Sequence, residues 1–91
     1  EGKPDKFELA QNFPNPFNPS TIISYQLPTN GYVTLKIYNL LGQEIATLVN
    51  EQKSAGKYEV KFDASDLASG VYIYRIQAGE FNASKKLILL K

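Results

Sequence analysis

Lys57-Tyr58-Glu59-Val60-Lys61-Phe62-Asp63 sets apolar and charged side chains in strict alternation. A period of two puts Tyr58, Val60 and Phe62 on one face and Lys57, Glu59 and Lys61 on the other, so the stretch predicts a strand with one face buried and one in water. Sheets that are wetted on one side in this way are antiparallel as a rule.

The same period recurs on both sides of it. Thr21 to Leu27 opposes Ile23, Tyr25 and Leu27 to Ser24 and Gln26, and Tyr32 to Tyr38 opposes Val33, Leu35 and Ile37 to Thr34 and Lys36. Between them Pro28-Thr29-Asn30-Gly31 predicts a tight turn, with Asn30 and Gly31 suited to positive φ. Asn39-Leu40-Leu41-Gly42-Gln43 predicts a hairpin loop with Gly42 left-handed. Glu44 to Val49 is less regular and predicts an edge strand, followed by a polar loop from Asn50 to Gly56. Downstream, Asp63 to Gly70 predicts a crossover loop plugged by Leu67. Val71 to Ala78 then places Tyr72, Tyr74 and Ile76 on one face, and Ala78-Gly79 turns the chain into a last strand from Glu80 to about Leu90.

Ahead of all this, Phe7 to Gln11 predicts a short strand. Asn12 to Ser20 interleaves Pro14, Pro16 and Pro19 with asparagines. Proline lacks the ladder donor and pushes its predecessor toward extended geometry, so this is a stiff irregular loop. Seven short strands separated by turn signals predict an all-β fold, a seven-stranded immunoglobulin-like Greek-key β-sandwich. Residues 1–6 are polar, contain Gly2 and Pro4, and read as a linker; residues 7–91 form the domain. Methionine is absent even at position 1, so the chain is expected to be the end of a longer one.

The composition belongs to a folded chain of one domain: 91 residues, 43% hydrophobic and 21% charged. Ten basic and nine acidic side chains give a net charge of +1, too balanced to attract nucleic acid. No run approaches the roughly 18 apolar residues of a membrane helix, so no membrane insertion is expected.

Cysteine and histidine are both absent, which excludes disulfides, thiol nucleophiles, imidazole triads and the common zinc sites. No glycine-rich phosphate loop is present, and no catalytic residue, metal or cofactor is expected. Asp63 and Asp66 are close in sequence and read as turn caps in preference to a calcium site. Phe13, Phe17, Tyr32 and Tyr38 fall off the inward faces and are the candidates for a carbohydrate platform.

Leu67, Gly70 and Tyr72 have the spacing of a tyrosine corner, in which the phenol reaches back to the backbone of the crossover; the alternative is one more buried aromatic. Lys85-Lys86-Leu87-Ile88-Leu89-Leu90-Lys91 breaks the alternation with four consecutive apolar residues. Two of the four must be exposed or covered, either by packing under a loop or as a handle for another protein.

These features together resemble a known family. Asn12-Phe13-Pro14-Asn15-Pro16-Phe17-Asn18-Pro19-Ser20-Thr21, Val33 to Asn39, Gly42-Gln43-Glu44, Gly70-Val71-Tyr72 and Lys86-Leu87-Ile88-Leu89-Leu90-Lys91 follow, in order, the pattern of type A C-terminal sorting domains of the type IX (Por) secretion system of Bacteroidetes. The resemblance covers about residues 12–91. The Pro14 to Pro19 stretch is also similar to the immunoglobulin-like domain of flagellar hook-capping proteins.

The resemblance implies a non-catalytic sorting signal that carries an exported protein through the periplasm and across the outer membrane, to be secreted or held at the cell surface. It implies as partners the type IX secretion machinery and a surface signal peptidase, with the domain acting as a monomer. It implies recognition through Gly70, Tyr72, Lys86, Leu87, Ile88, Leu89, Leu90 and Lys91, with Pro14, Asn15, Pro16, Phe17, Asn18 and Pro19 as the signature loop. The alternative functions are an accessory carbohydrate-binding module and a structural spacer of a secreted multidomain enzyme.

Overall fold

A computed structural model describes residues 4–91. Of the expected linker, residues 1–3 lie outside the described residues. Lys6 is already tied to the body of the fold, since its carbonyl accepts a hydrogen bond from the Gln26 side chain at 3.1 Å.

The described chain is all-β. Its strands are β1 (Glu8–Leu9), β2 (Ser20–Leu27), β3 (Gly31–Tyr38), β4 (Glu44–Lys53), β5 (Gly56–Asp63), β6 (Gly70–Ala78) and β7 (Phe81–Leu89). They form a three-stranded sheet in the order β1-β2-β5 and a four-stranded sheet in the order β4-β3-β6-β7, every pairing between strands being antiparallel. The chain changes sheet between β2 and β3, between β4 and β5, and between β5 and β6. This is the Greek-key connectivity of an immunoglobulin-like sandwich, with the fourth strand beside the third.

The alternation read from sequence sets the facing of the two sheets. Ile23 and Leu27 from one sheet meet Leu35, Ile37, Ile76 and Leu87 from the other, all of them buried. At roughly 1.5–3 kcal/mol for each large apolar side chain removed from water, this layer is the main source of stability in a chain without disulfides.

Three local expectations are corrected. Asn30 and Gly31 do not adopt positive φ, because Pro28 to Asn30 crosses from one sheet to the other and does not reverse a hairpin. Asn30 instead uses its side-chain oxygen to accept the Ala55 N–H at 2.8 Å, joining the two connections at that end of the sandwich. The strand expected to stop at Val49 runs to Lys53, so most of the predicted polar loop is strand. Its irregular pattern comes from two register shifts that leave Leu48 and Ile45 as extra residues on β4, each restarting the period of two. The first strand is only two residues long, because the chain leaves the ladder to enter the proline-rich loop. Gly42 is left-handed as expected, at φ 84°.

Candidate functional site

The proline-rich loop is organised from inside by Asn12, which is only 2% exposed. Its backbone N–H donates to the Tyr74 hydroxyl at 2.8 Å, and its side-chain amide donates to Thr21 Oγ1 at 3.0 Å and to the Pro14 carbonyl at 3.1 Å. Thr21, buried as well, donates its own hydroxyl to the Pro14 carbonyl at 2.8 Å. Two buried polar side chains thus converge on one carbonyl and satisfy each other, as burial requires. The Phe13–Pro14, Asn15–Pro16 and Asn18–Pro19 peptide bonds are cis.

From this anchor the loop passes along the outer edge of β7, the terminal strand of the four-stranded sheet. The Gln11 side chain donates to the Lys86 carbonyl at 2.7 Å, and Asn15 Oδ1 accepts the Ile88 N–H at 2.9 Å. Phe17 makes a parallel bridge to the strand, its N–H donating to the Ile88 carbonyl at 2.9 Å and its carbonyl accepting the Leu90 N–H at 3.0 Å. An edge strand presents a row of unpaired backbone groups, and here the loop pairs those at Lys86, Ile88 and Leu90. The signature loop and the terminal segment, more than 60 residues apart in sequence, are one structural unit.

Phe17 is therefore not an exposed aromatic. It is 3% exposed, with its ring centroid 6.2 Å from that of Phe62. Sequence reading missed this because a residue between two prolines has no strand period to assign its face. Phe13 is 79% exposed and Tyr32 is 54% exposed. Tyr38 is half-buried and stands at the far end of β3 from Tyr32, about 20 Å along the strand. The four aromatics form no shared platform.

In the terminal segment the alternation is restored by the geometry. Leu87 and Leu89 are fully buried, while Lys86 and Leu90 are exposed and Ile88, its backbone bound by the loop, is half-buried. Lys91 closes over the crossover between β5 and β6, its N–H donating to Ser69 Oγ at 2.9 Å and its ammonium group to the Ser65 carbonyl.

The Tyr72 hydroxyl donates to the Ala68 carbonyl, four residues upstream, at 2.7 Å. This is the hydrogen bond of a tyrosine corner, and with Leu67 packed against the core it decides between the two readings of Tyr72. Gly70, at φ 157°, lies opposite Leu89, and Tyr72 lies opposite Leu87. A side chain at Gly70 would meet nothing within 4 Å, so the requirement for glycine is conformational. Asp63 caps the same crossover, accepting the Ser65 N–H at 2.9 Å and the Ser65 hydroxyl. These bonds, reinforced by the Lys61 and Lys91 charges, hold its carboxyl below the usual carboxylate range.

The end of the sandwich where β3 stops, β6 starts and β7 stops gathers most of the exposed apolar surface. Leu40 and Leu41, at the tip of the β3–β4 hairpin, are 66% and 85% exposed, and Leu90 is 58% exposed. Phe13, beside Ile22 at the start of β2, stands near the same end. Away from it, an open trough of about 570 Å³ crosses the outer face of the three-stranded sheet between Glu8, Ser24 and Glu59. Its carboxylates and hydroxyl have no histidine, cysteine or metal cluster beside them among the described residues.

Among curated proteins no relative matches the chain. The family model described as "Secretion system C-terminal sorting domain" matches residues 11–90, from the glutamine that clamps Lys86 to the leucine bound by Phe17. With its two antiparallel sheets and the signature loop bound along the terminal strand, the chain belongs to this family, the non-catalytic sorting signal that marks proteins for type IX secretion to the cell surface or the medium.

Proposed function

We propose that the secretion machinery reads the pole at which the signature loop, the tyrosine corner and the terminal segment converge. The observation that carries this reading is the loop bound along the β7 edge: Gln11, Asn15 and Phe17 occupy the backbone groups of Lys86, Ile88 and Leu90. With that edge occupied, recognition falls to side chains. Lys86, Ile88, Leu90 and Lys91 face outward and are the contacts, whereas Leu87 and Leu89 hold them in place from the core. Gly70 and Tyr72 fix the crossover against which Lys91 rests, and Pro14 to Pro19 set the shape of the rim.

In this reading residues 1–6 connect the domain to a cargo protein, and residues 7–91 travel as a unit. The surface signal peptidase acts at or before the linker, and one copy of the domain suffices for transport because the pole is complete within a single chain.

The test is secretion of a reporter fused ahead of the chain in type IX-competent cells, comparing the parent with Lys86→Ala and Ile88→Ser. Both side chains lie on the face opposite Leu87 and Leu89; the change at the exposed Lys86 shifts stability by less than about 0.5 kcal/mol, and the change at the half-buried Ile88 costs about 1 kcal/mol and leaves the domain folded. Periplasmic retention of variants that stay folded is the expected result. Normal secretion of both would remove the terminal segment from the recognition surface.

A further inference from the structure

The edges of the two sheets are not equally protected. The outer edge of β7 is paired with the signature loop along its second half, β1 is two residues long, and β4 is broken by two bulges. Strand β5 has none of these devices. It runs eight residues in unbroken register with β2 and ends its sheet, with no strand beyond it among the described residues. Regular unpaired strands of this length invite a further strand.

The backbone groups that β5 offers can be identified. The Ala64 N–H donates to the Pro19 carbonyl, and the Ser24 carbonyl accepts the Ala10 N–H, so even-numbered residues of β5 bond to β2. Lys57, Glu59, Lys61 and Asp63 therefore direct their N–H and C=O groups to the open side, and their side chains stand exposed on the outer face.

We infer that β5 is a self-association edge on which a second copy of this chain pairs antiparallel about a two-fold axis at Val60. In that register Lys57 meets Asp63, Glu59 meets Lys61, Tyr58 meets Phe62, and Val60 meets its own symmetry mate. All the odd-numbered residues then exchange both backbone hydrogen bonds, and every charged pair on the outer face joins opposite signs. Moving the axis to residue 59 sets Lys57 against Lys61, and moving it to residue 61 sets Glu59 against Asp63. Like charges directly opposite are destabilising, and an axis at residue 58 or 62 keeps opposite signs together but pairs only part of the strand, so the axis at Val60 is the register that joins most of the strand with matched charges. Tyr58 and Val60, half-buried although they face inward, gain cover from the partner strand.

The dimer is compatible with transport of a single copy. The β7 edge belongs to the other sheet, and the signature loop meets β5 only from its β2 side and its inner face, through the Pro19 carbonyl on the Ala64 N–H and the Phe17 ring beside Phe62, so a strand added at the open edge makes the sheet six-stranded without disturbing either.

Sedimentation equilibrium of the 91-residue chain over micromolar to millimolar concentrations tests this, with each variant checked for an unchanged melting curve. The parent is expected to show a monomer–dimer equilibrium that weakens as salt is added. Lys61→Glu and Glu59→Lys each convert attractive cross-strand pairs into repulsive ones and should weaken the homodimer about tenfold or more. An equimolar mixture of the two variants restores opposite signs at every position and should associate as a heterodimer at least as well as the parent. A parent that stays monomeric, a dimer indifferent to both reversals, or a mixture no tighter than its components would each overturn the inference.

Discussion

The Tyr74 hydroxyl accepts the Asn12 backbone N–H at 2.8 Å across 62 residues of chain, and donates to the Ala10 carbonyl at 2.7 Å. It thereby fixes the root of the signature loop to the centre of the four-stranded sheet. Tyr74→Phe keeps the ring and leaves the buried Asn12 N–H without its partner, for a cost of about 1–3 kcal/mol in chemical denaturation. A loss under about 0.5 kcal/mol would mean that the loop root is held by Thr21 and Pro14 alone.

The same phenol sets a pH dependence. Burial pushes its pKa up from 10.0 to about 12, the Asn12 hydrogen bond acting weakly in the other direction. The folded chain therefore holds this proton more tightly than the unfolded one. The stabilisation is fully present below pH 10 and is lost as pH rises from about 10 to 12. Burial also raises the pKa of Tyr25, whose buried hydroxyl has no partner among the described residues, and its contribution has the same sign. Stability measured against pH should fall above pH 10 in the parent and fall less steeply in Tyr74→Phe.

Phe13 and Phe17 are four residues apart in one loop and should behave oppositely. Phe17→Ala removes a buried ring beside Phe62 and should cost about 3–5 kcal/mol, whereas Phe13→Ala should fall within about 0.5 kcal/mol of the parent. Urea midpoints for the two variants check this directly, and equal midpoints would contradict the burial of Phe17.

Asn15 is exposed, yet its side chain holds the Ile88 amide. Asn15→Ala should leave global stability lowered by no more than about 1 kcal/mol while amide exchange at Ile88 accelerates by about tenfold. Unchanged protection at Ile88 would show that the Phe17 bridge alone seats the loop on the strand.

The alternating strands were legible because one-sided burial writes itself into sequence with a period of two. Val33, Leu35 and Ile37 needed nothing further, whereas the corner made by Leu67, Gly70 and Tyr72 was one of two readings that only the Tyr72 hydroxyl on the Ala68 carbonyl separates. The facing of Phe17 and the burial of Asn12 had no such signal, since an irregular loop has no period and its bonds to Tyr74 and Ile88 span more than 60 residues. The extension of β4 was hidden for another reason: each bulge at Leu48 and Ile45 resets the pattern that would have revealed the strand. The terminal segment gave a correct puzzle, four apolar residues where two were expected to face in. Its answer required knowing that a loop from the other end of the domain lies against Ile88.

That contact also orders events in time. Within the domain the signature loop is made early and the strand it lies on late, so the Phe17 backbone has no strand to pair with until Ile88 and Leu90 have been synthesised. A chain that stops before them, through a premature stop codon or a cut near the end, leaves β6 with a bare edge and the core without Leu87 and Leu89. Only a product translated through Leu90 can assemble the finished surface.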